Sequence, residues 1–135
     1  MKDHTKQILI VEDELPFQEI YRDILESEGY EVHVAEDGQL AIEYLSMNTP
    51  DLVLLDIILP KQTGLDVLRH MREAANTKNI PVVVYSVIDD REQIDLAMKL
   101  GATDFTIKGQ TSAYEVLEKV NELLGNPPMR QQIQE

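Results

Sequence analysis

The chain has 135 residues, no cysteine, 43% hydrophobic residues and a formal net charge of −13. That length fits one domain able to bury roughly two-thirds of its unfolded surface; the apolar content argues against disorder throughout, and the lack of cysteine removes disulfide frameworks and thiolate metal sites. The acidity speaks against direct nucleic-acid binding, which needs a cationic surface, and neither a membrane-length apolar run nor a signal-peptide stretch is present, so a soluble cytoplasmic protein is expected.

Gln7–Val11 reads as a buried strand. Leu15–Glu28 carries Phe17, Ile20, Tyr21, Ile24 and Leu25 at helical spacing, with Pro16 in its first turn and Gly29 at its end. Glu31–Ala35 alternates like a strand, and Asp37 is placed to cap a helix carrying Leu40, Ala41, Tyr44 and Leu45. Leu52–Leu55 is the third strand, followed by the loop DIILPKQTG and a helix from about Leu65 to Ala75. Val82–Ser86 is the fourth strand; Asp90 can cap a helix carrying Ile94, Ala97 and Met98 and closed by Gly101. Asp104–Ile107 is the fifth strand, and Ser112 with Glu115 forms a capping box for a last helix carrying Ala113, Val116, Leu117, Val120 and Leu124.

Such alternation, with strands apolar on both faces, predicts a doubly wound α/β domain over residues 6–125: a five-stranded parallel sheet of order 2-1-3-4-5 with helices on both faces. Residues 126–135 form a short polar tail. In such a sheet ligands bind at the C-terminal strand ends. Glu12 and Asp13 follow the first strand, Asp56 the third, Ser86 ends the fourth and Lys108 follows the fifth. Taken alone, Asp13 would serve equally as a helix cap. Together, three carboxylates and one ammonium leave about −2, which a divalent cation neutralises. Mg²⁺ takes oxygen ligands and keeps several waters, so Asp13 and Asp56 are candidate direct ligands and Glu12 one acting through water. Without the ion, each carboxylate repels an incoming phosphoryl charge by roughly 4 kcal/mol at about 4 Å and an effective dielectric of about 20, so phosphoryl transfer here is expected to need the metal. His4, His33 and His70 share no ligand spacing.

The pair Glu12-Asp13, Asp56 after an apolar strand, Pro60, Gly64, Ser86 and Lys108, in this order and spacing, make nearly the whole chain resemble the receiver domain of two-component response regulators, most of all the stand-alone, chemotaxis-regulator-like members. The resemblance implies that Asp56 takes a phosphoryl group from a phosphohistidine. It implies that Asp13, Asp56 and the carbonyl of Ile58 bind Mg²⁺ with help from Glu12. Lys108 would pair with Asp56 and then with a phosphoryl oxygen, Ser86 would bind another, and Phe105 would be the aromatic switch. The partners implied are a sensor histidine kinase or histidine phosphotransfer protein and a downstream protein meeting the fourth helix, fifth strand and fifth helix. Direct contact with nucleic acid or a membrane is not expected. The leading expectation is a stand-alone phosphorylation switch, catalysing only its own phosphoryl transfer and slow dephosphorylation; the alternative is a phosphorelay intermediate.

Four positions depart from the family pattern. Gly109 replaces the usual proline after Lys108, which predicts a looser loop. Val87 is bulkier than usual beside Ser86 and is expected to narrow access to Asp56. Ile58 and Ile88 flank the phosphoryl position with aliphatic groups, which cannot orient a hydrolytic water. Ile58 also stands where an aspartate-nucleophile phosphatase needs its second acid, which disfavours that enzyme class, and the chain lacks the glycine-rich motifs of nucleotide binding.

Overall fold

The computed structural model describes residues 5–61, 63–87 and 91–125. The strands are β1 (Gln7–Val11), β2 (Glu31–Ala35), β3 (Leu52–Asp56), β4 (Val82–Ser86) and β5 (Asp104–Ile107). The helices are α1 (Leu15–Ser27), α2 (Gly38–Met47), α3 (Gly64–Glu73), α4 (Arg91–Lys99) and α5 (Ala113–Leu123). The sheet is parallel throughout, in the order β2-β1-β3-β4-β5. The predicted architecture is therefore the one formed.

Burial follows from the position of each strand. All of β3 and β4 is buried, whereas the edge strands β2 and β5 keep half-buried residues. A strand's side chains alternate between faces, and this divides the core in two. On one face Ile8, Ile10, Leu52, Leu54, Val83 and Tyr85 pack against α1 and α5. On the other, Leu9, Val11, Val53, Leu55, Val82 and Val84 pack against α2, α3 and α4. Each fully buried aliphatic side chain contributes on the order of 1.5–3 kcal/mol.

Local chemistry sets the element ends. Asp37 accepts the Leu40 amide and caps α2, and the capping box of Ser112 and Glu115 opens α5. A second capping box, Thr63 with Asp66, starts α3 at Gly64, one residue before the expected Leu65. Glu14, not Asp13, is the N-cap residue of α1, and it makes no side-chain cap hydrogen bond. Ile20, Leu40 and Met98 fit the apolar spacing yet are exposed, because a helix packed on one sheet face buries only one stripe of its surface. The expected Asp90 cap and the tail 126–135 lie outside the described residues. Among the described residues no helix is long and apolar enough to cross a membrane.

Chain order places the site. From β1 the chain moves to β2 on one side, then returns to β3 on the other. The crevice at that reversal is where open α/β sheets bind ligands, and it lies between Glu12-Asp13 and Asp56.

Candidate functional site

Strand alternation aims Glu12, Asp56, Tyr85 and Lys108 at the α1–α5 face. Asp56 is 4% exposed. Its Oδ2 accepts from Lys108 Nζ at 2.9 Å and its Oδ1 from the Ile58 amide at 3.0 Å. Burial pushes the Asp56 carboxyl up to about 6, with Lys108 and the Ile58 amide opposing and the charge of Glu12 reinforcing the rise. Lys108 also meets Glu12 Oε1 at 2.8 Å. Burial alone would lower its pKa, but its bonds to Glu12 and Asp56 outweigh that and leave it raised. The Lys108 ammonium faces the Phe17 ring at 4.2 Å and the Tyr85 ring at 4.9 Å.

Glu12 and Asp13 are neighbours in sequence with opposite environments. Glu12 is fully buried and Asp13 exposed. Besides Lys108, Glu12 Oε1 accepts from the Tyr85 hydroxyl at 2.5 Å, and Oε2 accepts the Glu14 amide at 2.9 Å. The Glu12 carbonyl accepts from Gln18 Nε2, which ties the β1 end to α1.

Carboxylate oxygens of Glu12, Asp13 and Asp56 lie within 4.8 Å of one another. Two oxygens on one Mg²⁺ stand at most about 4.2 Å apart, twice a bond of about 2.1 Å. Adjacent oxygens stand closer, about 3 Å, so these hard donors suit such an ion once the carboxylates draw in or a water bridges one of them. His33 pairs with Glu31 at 2.9 Å instead of joining any metal cluster, and His4 lies outside the described residues.

The β3–α3 loop is shaped by close backbone approach. A Cβ at Gly64 would stand 2.2 Å from the Asp56 carbonyl oxygen and 2.7 Å from Ile57 Cα. The Gly64 amide donates to the Ile57 carbonyl at 2.9 Å. Lys61 adopts a positive φ of 64° in this loop, and its Nζ lies 3.6 Å from Asp37. Glycine at 64 is thus required for the chain to turn directly under the phosphoacceptor candidate.

Alternation aims Ser86 and Phe105 at the other face. Ser86 is buried, and its carbonyl accepts the Lys108 amide at 2.9 Å. Phe105, half-buried, faces Val84 in the register and packs on the α2–α3–α4 side of the core. Glu12, Asp56 and Lys108 therefore meet directly, and Asp13 shares their carboxylate cluster. Ser86 adjoins Lys108 through the backbone, and Phe105 sits further along β5.

Gly109 follows Lys108 in a hydrogen-bonded turn. The bond between them is trans, Gly109 takes φ 85°, and the Gln110 and Thr111 amides both return to the Ile107 carbonyl at 3.1 and 2.9 Å. A glycine turn thus follows Lys108 where the family pattern has proline. Val87 is 65% exposed and Ile58 52% exposed, while Asp56 is buried. Ile88 lies outside the described residues.

Sequence reasoning missed Tyr85 and Phe17. The signal was present for Tyr85: it carries the one side-chain hydroxyl within the run VVVY, and a buried tyrosine hydroxyl needs a partner.

A family model described as the response regulator receiver domain matches residues 8–121. The phosphate regulon transcriptional regulatory protein PhoB of Escherichia coli (strain K12) is 35% identical over 104 residues, 77% of this chain and 45% of that protein, so the chain spans under half the relative's length. The signal receiver domain of a signal transduction histidine kinase from Syntrophus aciditrophicus is 29% identical with a TM-score of 0.82, covering 90% of this chain and 91% of that one. A CheY-like response regulator receiver domain protein from Methanospirillum hungatei is 26% identical with a TM-score of 0.84, covering 90% and 95%.

Proposed function

The chain belongs to the response regulator receiver domain family, and on that premise we propose that Asp56 accepts a phosphoryl group from the phosphohistidine of a sensor histidine kinase or histidine phosphotransfer protein in the cytoplasm. The observation that carries this reading is the buried Asp56 carboxylate bonded to Lys108 at 2.9 Å beside a cluster of cation-binding oxygens.

In the proposed step an Asp56 carboxylate oxygen attacks phosphorus. A P–O bond forms, the P–N bond breaks, and the electron pair stays on the imidazole nitrogen, which takes a proton from solvent. Asp13, Asp56 and the Ile58 carbonyl would hold Mg²⁺, with Glu12 assisting. When bound, the ion supplies the positive charge that lets an anionic donor approach these carboxylates. Lys108 turns from the Asp56 carboxylate to a phosphoryl oxygen, an excursion short enough for a side chain already within 2.9 Å. Ser86 donates to a second oxygen, and Phe105 then turns into the space that Ser86 vacates.

That change is read by a protein partner at the α4–β5–α5 face, whose two helices carry the exposed groups Leu96, Met98 and Tyr114 between them. The second reading, a phosphorelay intermediate, uses the same chemistry in reverse toward a carrier histidine. Incubation with a small phosphodonor and Mg²⁺ followed by intact mass and peptide mapping tests the assignment. Wild type gains one phosphoryl group at Asp56, whereas Asp56→Asn or added chelator gives none; full labelling of Asp56→Asn elsewhere refutes the role of Asp56. Return of the group to a histidine protein separates relay from switch.

A further inference from the structure

Tyr85 has no part in the family resemblance, yet it is fully buried and its hydroxyl bonds directly to the site. Its ring is fully buried, edge-on to Tyr21 at a centroid distance of 5.1 Å and 70° between planes. Tyr21 in turn stacks with Phe17 at 6.4 Å. This aromatic series fixes the ring in a close-packed core, and the ring fixes the hydroxyl 2.5 Å from Glu12 Oε1.

A carboxylate offers about four lone-pair positions. Among the described residues, Glu12 meets three donors: the Tyr85 hydroxyl, Lys108 Nζ and the Glu14 amide. It has no surface exposed to solvent. Asp13, beside it, is exposed. Oxygens of both lie in the same cluster with Asp56, so what separates them is how far each is already satisfied by protein donors.

We propose that Tyr85 is a positioning residue of this site: by donating to Glu12 it holds that carboxylate inward as the second partner of Lys108 and keeps it from ligating the cation directly, so that the cation rests on Asp13 and Asp56 while Glu12 assists only through water. The inference rests on the reading of Asp56 as a metal-assisted phosphoacceptor. The hydroxyl has two effects. It occupies a lone pair of Glu12 that a cation would otherwise use. It also disperses the Glu12 charge, so that Lys108 is shared between Glu12 and Asp56 and is free to follow a phosphoryl oxygen. A Glu12 without this bond would draw both Mg²⁺ and Lys108 more strongly. Removing the hydroxyl therefore has opposite consequences for the metal and for the phosphoryl group.

The test uses the full chain as wild type, Tyr85→Phe, Glu12→Gln and the double variant. Tyr85→Phe keeps the ring and its packing, and circular dichroism melts verify the fold. Calorimetric titration with Mg²⁺ should show Tyr85→Phe binding about three- to tenfold more tightly than wild type, the scale of one charge-assisted hydrogen bond after partial compensation. In the Glu12→Gln background the same substitution should change affinity less than about twofold, since the effect passes through the Glu12 charge. At saturating Mg²⁺, phosphoryl uptake from a small phosphodonor should slow several-fold in Tyr85→Phe. A merely structural role would weaken metal binding and uptake together. Unchanged or weaker Mg²⁺ binding in Tyr85→Phe, an equal gain in the Glu12→Gln background, or no binding by either protein overturns the inference. A wild type that binds Mg²⁺ but takes up no phosphoryl group at Asp56 instead refutes the phosphoacceptor reading, and the four titrations still decide the role of Tyr85.

Discussion

Replacing Asp56 by asparagine should stabilise this protein at neutral pH in the absence of divalent cations. The Asp56 carboxyl titrates at about 6 in the fold against 3.8 for the free group, chiefly because it is buried. A folded-state pKa above the unfolded one means the native state binds the proton more tightly. Stability from this group is therefore present below about pH 4 and is lost as the pH rises through 6. The shift is about two pH units, worth about 3 kcal/mol once both states are ionised. Asparagine is nearly isosteric with the protonated acid and carries no charge to desolvate, and Lys108 keeps Glu12 at 2.8 Å. The assay is urea unfolding of wild type and Asp56→Asn from pH 4 to 8 in chelator. The two should coincide near pH 4, and the variant should lead by about 3 kcal/mol near pH 7.5, roughly 10 °C in Tm. Mg²⁺ should narrow the gap at pH 7.5 by stabilising wild type alone. A wild type more stable than the variant at pH 7.5, or a gap that does not change with pH, would refute the reasoning.

Gly64→Ala should destabilise by about 1–3 kcal/mol, the range of overpacking, because the added Cβ meets the Asp56 carbonyl oxygen at 2.2 Å; denaturant melts measure this, and phosphoryl uptake should fall with it. A beryllofluoride adduct should shift amide resonances of α4, β5 and α5 more than those of α2, and equal or reversed shifts count against the Ser86–Phe105 route. The aspartyl phosphate should be long-lived in wild type and shorter-lived in an Ile58→Asn, Ile88→Glu double variant, since polar groups there can orient water toward phosphorus; an unchanged or longer lifetime in Mg²⁺ buffer rejects that idea.

The sequence alone determined the strands, their parallel order and the presence of acids at their ends. These are local properties: a run such as LVLLD is apolar on both faces and closes on its own carboxylate, and such a run is stable only inside a helix-covered sheet. It also marked Lys108 and Ser86 by spacing. What each acid does was decided by tertiary structure. Glu12 and Asp13 are chemically alike and adjacent, but β1 sends one inward to Tyr85, 73 residues away, and leaves the other exposed. Lys108 meets Asp56 across 52 residues. Pairings of this kind have no local signature. They arise because a buried charge or hydroxyl must find partners, and only the assembled sheet determines which partners are within reach.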